Sequence, residues 1–232
     1  MQAVLTPLLW LAVASVVLSA YAALAQKDLK RIFAYSSINH LGYCMLALFA
    51  ILKFTGGDTS LTPEKYAAMD GIFLQIFNHA LTASTIFWFI AMLEKRSSGL
   101  RSLDGFGGLR KVMPVFTGLI GIALFSSLGL PGLNGFVGEF LIFKGSFPLF
   151  TWATSLSVLG LLVTAIFILG ILQRVFSGPL NEHWLGMPDL TTAERFALAP
   201  AIALMFVLGL YPQLILATVN TSAVQIVQHV RF

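Results

Sequence analysis

Six apolar segments, each long enough to cross a lipid bilayer, constrain the fold of this chain more than any other feature. They lie near residues 4–25, 32–53, 68–93, 113–147, 152–173 and 195–216. About 20 helical residues span the roughly 30 Å of hydrocarbon in a bilayer. The chain is 57% apolar and 10% charged, whereas soluble domains are about 25% charged. The sequence therefore predicts an all-α membrane protein, with a single transmembrane domain over residues 1–232.

The basic residues of the connecting segments are distributed unevenly between the two sides of the predicted bundle. The first, third and fifth connections carry ten of the 14 Lys and Arg residues: Lys27, Lys30, Arg31, Lys95, Arg96, Arg101, Arg110, Lys111, Arg174 and Arg195. By the positive-inside rule, these connections are cytoplasmic and both termini lie outside. Topology accounts for the net charge of +4, so we expect a lipid bilayer and no nucleic acid as a partner.

The fourth apolar segment, 113–147, is too long for one straight crossing, because about 35 helical residues reach roughly 50 Å. Pro131 lacks an amide hydrogen and clashes with the preceding turn, while Gly132 and Gly135 tolerate unusual backbone angles. These residues predict a helix break at 131–135. Backbone groups freed by a break must be buried among helices or hydrated, as they are at the ion sites of transporters.

Glu139 follows the predicted break by about one helical turn. A carboxylate inside the bilayer costs several kcal/mol unless it is neutralised, paired or hydrated, so we interpret Glu139 as a functional proton site. A structural acid paired with Lys144, or an acid that reaches water at the interface, is the alternative. Lys144 could support the site or extend its amine outward to the membrane surface.

Two histidines lie at a similar predicted depth on different helices. His40 comes ten residues after Lys30 on the second segment, and His79 comes nine residues after Asp70 on the third, so both lie roughly 15 Å into the membrane. Histidine exchanges protons near neutral pH through both ring nitrogens, which makes these residues candidates for a proton relay with Glu139. Either histidine alone could equally be a structural hydrogen-bonding residue.

Several smaller polar residues could hold water along such a relay or serve as helix-packing contacts: Ser36, Ser37, Gln75, Thr82, Ser84, Thr85, Ser126, Ser127 and Asn134. Lys30 lies in the basic first connection, where we favour anchoring at the membrane surface over conduction, and Asp28 can cap the following helix.

Motifs for other chemistry are missing from the sequence. We find no glycine-rich phosphate loop, paired-cysteine motif, His-x-x-x-His spacing or Gly-x-Ser-x-Gly elbow, and Cys44 has no second cysteine to pair with. We therefore expect no cofactor, no metal site and no redox chemistry on this chain.

Three long segments, in this order, resemble the M-type antiporter-like subunits of respiratory complex I, the proton-translocating NADH:quinone oxidoreductase. They are "ALAQKDLKRIFAYSSINHLGY", "IFNHALTASTIFWFIAMLEKR" and "SLGLPGLNGFVGEFLIFKGSF". The glutamate in "GFVGEF" is typical of the M type. The resemblance covers nearly the whole chain but corresponds to only the last six of about fourteen helices in those subunits.

This resemblance implies roles for individual residues. Glu139 matches the acid of the second broken helix, which leads protons outward, His40 and His79 match the histidines of the central hydrophilic axis, and Pro131 matches the breaking proline. It also implies other membrane subunits as partners, a separate chain or segment that supplies the preceding helices, and a bacterial inner membrane. On this basis the chain alone is not a complete pump.

Two alternatives stay open at this point. The chain could belong to a multisubunit cation/proton antiporter or a membrane-bound hydrogenase that uses the same helices. It could also be a fragment that conducts nothing.

Overall fold

The structure of the protein is a computed structural model that describes residues 2–54 and 61–229. Within these residues, the α-helices are α1 (Gln2–Leu24), α2 (Leu29–Lys53), α3 (Thr62–Arg96), α4 (Pro114–Ser127), α5 (Asn134–Leu149), α6 (Thr151–Ile171), α7 (Thr192–Leu210) and α8 (Gln213–His229). A π-helical turn, Leu172–Ser177, continues α6. Among the described helices, α1, α2, α3, α7 and α6 with its π turn are long and apolar enough to cross a membrane. The predicted all-α membrane fold is confirmed.

The fourth predicted segment is broken, as expected, but the break comes earlier than 131–135. α4 ends at Ser127, and the amide of Gly129 donates to Ser126 O at 3.1 Å while that of Leu130 donates to Phe125 O at 3.0 Å. These two bonds form a Schellman motif with Gly129 in the left-handed region at φ 76°. Pro131 and Gly132, at φ 95°, lie inside the break.

Gly135 does not form part of the break, which corrects the prediction. It is the second residue of α5, and its role is to allow close packing. A Cβ atom at this position would lie 1.9 Å from the carbonyl oxygen of Ser126. The missing side chain therefore lets the start of α5 fold back against the end of α4.

The sixth predicted segment, 195–216, spans two helices in the structure. α7 ends at Leu210, and α8 begins at Gln213 and continues to His229. Pro212 explains the division, because its ring disfavours helical angles at the preceding residue, and Tyr211 accordingly has φ −133° and ψ 67°.

α3 is the longest helix, with 35 residues, and extends beyond the predicted 68–93 at both ends. It packs closely along α5 through glycines. A Cβ at Gly71 would lie 2.6 Å from the amide nitrogen of Ile142, and one at Gly145 would lie 2.5 Å from that of Ala68. Small residues allow such backbone contact between membrane helices, and here they bring the first part of α3 against the second half of α5.

The end of the bundle that carries the connections 25–28, 97–113 and 178–191 is called the basic end here. Asp28 caps α2 by accepting from the amide of Arg31 at 3.1 Å, as predicted, and its other oxygen pairs with Arg101 at 3.2 Å. Lys30 forms an ion pair with Glu94 near the end of α3. These contacts fasten the start of α2 to the end of α3.

Candidate functional site

Glu139 lies on the second turn of α5 with only 5% of its surface exposed. Its Oε1 is 3.0 Å from Nδ1 of His40, a residue of α2 that is 2% exposed. Gln75 of α3 donates a longer hydrogen bond to the same oxygen at 3.5 Å. A carboxyl group and an imidazole buried together can share one proton across this hydrogen bond.

His79 of α3 lies beside this pair. Its ring centroid is 5.3 Å from that of His40, with an angle of 33° between the ring planes. The other ring nitrogen of His40, Nε2, is 3.4 Å from the hydroxyl oxygen of Ser127 at the end of α4. His40 is therefore the central group, because it contacts Glu139, His79 and Ser127 at once.

The second carboxyl oxygen of Glu139, Oε2, lies against Gly129 in the helix break. A Cβ atom at Gly129 would lie 2.6 Å from Oε2 of Glu139, so the bare Cα of this glycine leaves the space that the carboxyl group occupies. The left-handed turn that ends α4 thus shapes the position of the buried acid.

A small cavity of about 10 Å³ connects these groups, roughly the volume that one water molecule needs. Its lining is polar and comes from four helices and their ends: His40, Gln75, Asn78, His79, Thr82, Ser126, Ser127, Gly135 and Glu139. A single water here would have several hydrogen-bonding partners, which is what holds buried water in proteins.

Asn134 lies in an adjoining polar cluster at the start of α5. Its side-chain nitrogen, Nδ2, donates to the backbone carbonyl of Asn78 at 3.2 Å and to the hydroxyl of Thr82, also at 3.2 Å. Its own backbone carbonyl accepts from the side chain of Asn78 at 2.5 Å, and its side-chain oxygen accepts from Ser126. The cluster holds the first turn of α5 against α3 and α4.

The structure brings Glu139, His40 and His79 together, with Asn134 beside them, but it leaves the two predicted supporting lysines elsewhere. Lys144 is exposed and lines a pocket with Glu64, and none of the described residues forms an ion pair with it. Glu139 is thus paired with His40, and not with Lys144. Lys30 lies at the basic end in its ion pair with Glu94.

Two residues of the site have no counterpart in the sequence predictions. Tyr43 packs edge-on against His40, with ring centroids 5.7 Å apart, and is fully buried. Gly129 contacts the carboxyl group. The glycine had a signal in the sequence, since a glycine one or two residues before a proline commonly ends a helix. Tyr43 had none beyond its position one turn after His40.

Within the described residues, no group of three or more His, Cys, Asp or Glu side chains is close enough together to hold a metal ion. The chemistry that this site supports is proton exchange between a carboxyl group and imidazole rings, in a polar enclosure on a helix break.

The chain is similar in sequence to membrane proteins of a known family. The model of the transmembrane family described as NADH:quinone oxidoreductase/Mrp antiporter matches residues 1–168. Subunit M of NADH-quinone oxidoreductase from Mycobacterium tuberculosis is 33% identical over 212 residues, which are 91% of this chain and 36% of that protein. Chain 4 3 of NAD(P)H-quinone oxidoreductase from Trichormus variabilis is 32% identical over 95% of this chain and 40% of its own length. The chain spans less than half the length of these relatives.

Solved structures have the same fold. A chain of respiratory complex I from Thermus thermophilus with bound NADH superposes with a TM-score of 0.84 and 26% identity. The match covers 97% of this chain and 44% of the Thermus chain. A chain of the archaeal membrane-bound sulfane sulfur reductase gives a TM-score of 0.81 at 24% identity, covering 98% of this chain and 43% of its own. The predicted relationship to M-type antiporter-like subunits is confirmed by these relatives. The chain belongs to the NADH:quinone oxidoreductase/Mrp antiporter transmembrane family.

Proposed function

We propose that this chain carries the outward-leading part of a proton path in the membrane arm of an NADH:quinone oxidoreductase. The observation that carries the proposal is the buried hydrogen bond between His40 and Glu139, formed where α4 and α5 are interrupted. The family relationship and the resemblance of the three long motifs support the enzyme class.

The relay proceeds through three groups in this proposal. A proton reaches the His79 and His40 rings, whose centroids are 5.3 Å apart, with one water in the small cavity bridging them. It then crosses the 3.0 Å hydrogen bond from Nδ1 of His40 to Oε1 of Glu139. A change of charge near the site lowers the affinity of Glu139 for the proton. The proton then leaves toward the end of the bundle opposite the basic end.

The driving reaction takes place outside this chain. Quinone reduction in another part of the complex supplies the free energy, and coupling to Glu139 is conformational and electrostatic. Other membrane subunits, with a chain or segment that provides the preceding helices, complete the path. The basic end faces the cytoplasm, in agreement with the bias of Lys and Arg residues in the sequence.

The test is proton pumping by the assembled enzyme in closed membrane vesicles. Glu139→Gln keeps the shape and the hydrogen bond to His40 but cannot release a proton, so we expect normal assembly and NADH oxidation by uncoupled vesicles, with reduced proton uptake per NADH. Glu182→Gln is the matched control, because Glu182 is an exposed acid in the connection before α7 and pumping should be unchanged. Undiminished pumping by a fully assembled Glu139→Gln enzyme would reject the proposal.

The family model also includes Mrp antiporters, so a cation/proton antiporter is the second candidate function. The two candidate functions differ in what drives proton movement. Sodium-dependent proton movement without NADH turnover would support the antiporter, whereas NADH-driven pumping independent of sodium supports the oxidoreductase.

A further inference from the structure

A cavity of about 410 Å³ opens at the basic end between α1, α2 and α6, and it shares no lining residue with the small cavity at Glu139. Most of its wall is apolar and includes Leu24, Ile166 and Leu169, which are 40%, 51% and 50% exposed. Gly170 widens it, because a Cβ atom there would meet nothing within 4 Å. The volume lies in the range of small-molecule sites, roughly 300–1,000 Å³.

The polar lining of the cavity comes from the ends of the helices. Gln26 follows α1, while Gln173 and Arg174 lie in the π-helical turn after α6. From Ile166 to Arg174 the wall extends roughly 12 Å along the helix. The cavity therefore has an apolar part within the bilayer and amide and guanidinium donors where the helix leaves it.

The charge at this rim is positive. Arg174 is exposed, and no described carboxylate lies within ion-pairing distance of it. The neighbouring acid, Asp104, is paired with Lys27 at 2.9 Å. A hydrogen bond from Lys27, its charge and, to a smaller extent, Arg174 keep the pKa of Asp104 below its usual value. Lys27, Asp104 and Arg174 together leave one positive charge for a ligand.

We propose that this cavity binds an anionic diacyl phospholipid. Its phosphate group lies at Arg174 and the side-chain amide of Gln173, beside Gln26, whose amide nitrogen donates one hydrogen to Ala22 O at 3.0 Å and has a second to offer. The first part of one acyl chain lies along Ile166, Leu169 and Gly170. Basic pockets between membrane helices on the cytoplasmic side are suited to anionic lipid headgroups. Arginine, with its fork of donors, is the side chain best matched to phosphate oxygens.

The charge and lining of the cavity favour an anionic lipid as its occupant. The wall is apolar along Ile166 and Leu169, where an acyl chain can pack, and the exposed guanidinium of Arg174 at the rim can bind a phosphate group. The inference is independent of the proposed proton path, since it uses none of the same residues.

Photo-crosslinking tests the proposal on the intact complex. The complex is reconstituted in nanodiscs with phosphatidylglycerol or phosphatidylcholine that carries a diazirine near the start of one acyl chain. We expect phosphatidylglycerol to label the peptide containing residues 166–174, about fivefold more strongly than phosphatidylcholine does. Equal labelling by both lipids, or no labelling of this peptide, would overturn the proposal.

Two pairs of variants locate the site. Arg174→Gln should reduce labelling by phosphatidylglycerol about fivefold, whereas Arg110→Gln, at an exposed position in the preceding basic connection, should not. Gly170→Leu fills the cavity and should abolish labelling. Gly118→Leu is its match on α4, where an added Cβ also meets nothing within 4 Å. If phosphatidylglycerol labels the 166–174 peptide equally in Gly170→Leu and Gly118→Leu, the lipid does not bind in this cavity and the proposal is contradicted.

Discussion

Glu139 has two unlike neighbours, and its proposed role depends on both. One carboxyl oxygen shares a hydrogen bond with the imidazole of His40, and the other lies against the bare Cα of Gly129. A buried charge is expensive unless it is paired, and a pair with a titratable ring can neutralise itself by moving one proton. This distinguishes the site from a fixed ion pair with a lysine, which would hold the carboxylate permanently ionised.

Gly129→Ala tests the contact with the break. Alanine in the left-handed region costs about 1–2 kcal/mol, and its Cβ would also displace the carboxyl group, to which it would lie 2.6 Å away. Weakening a charge-assisted hydrogen bond costs about 1.5–3 kcal/mol, so we expect roughly a tenfold or greater loss of NADH-driven proton uptake.

Gly132→Ala is the control for this prediction. Gly132 has a similar φ of 95° in the same break, but its Cβ would meet nothing within 4 Å. It should therefore show the backbone destabilisation without the large loss of pumping. Equal loss in the two variants would mean that the shape of the break, and not the position of Glu139, limits transport.

At the scale of the element, α4 is held by groups outside its own sequence neighbourhood. It begins without a capping side chain of its own, since the residue before it is Met113. Asp189, more than 70 residues later in the chain, accepts from the amides of Val115 and Phe116, each at 2.9 Å. The connection before α7 therefore positions α4, and through α4 it positions Ser127 and the break.

Asp189→Ala should destabilise this end of α4. Loss of an N-cap costs about 0.5–2 kcal/mol, and removal of both bonds from a carboxylate should come near the upper value. Hydrogen exchange of the complex should show faster exchange at Val115 and Phe116, with a smaller effect in Asp189→Asn. Asp104→Ala, which removes an exposed acid from the same end of the bundle, serves as the control. Unchanged exchange in Asp189→Ala would show that the cap is not needed.

The sequence predicts the apolar helices and the need for a break, because length, hydropathy and proline act locally. It also identifies Glu139, His40 and His79 as unusual, since polar groups inside the bilayer are expensive. The contact of Gly129 with the carboxyl group of Glu139 and the cap from Asp189 depend on the folded structure, and no local pattern encodes them. The flexibility of glycine predicts Gly135 as part of the break, whereas in the structure this glycine lets the backbone of α4 approach α5 closely.

At the scale of the molecule, the long helix α3 connects the parts of the bundle. It packs against α2 and α5 near the site. Its last residue, Arg96, lies at the basic end and pairs with Glu194 of α7 at 2.6 Å. The described helices thus form a scaffold around one enclosed polar site. The chain spans less than half the length of the relatives from Mycobacterium tuberculosis and Trichormus variabilis.

The most direct test of the central claim is infrared difference spectroscopy of the assembled complex, comparing resting enzyme with enzyme that is turning over NADH. The proposal predicts a carboxyl C=O band that appears or disappears with turnover, shifts when glutamate is ¹³C-labelled, and is absent in Glu139→Gln. A carboxylate that remains ionised throughout turnover, with no band lost in the variant, would contradict reversible proton exchange at Glu139.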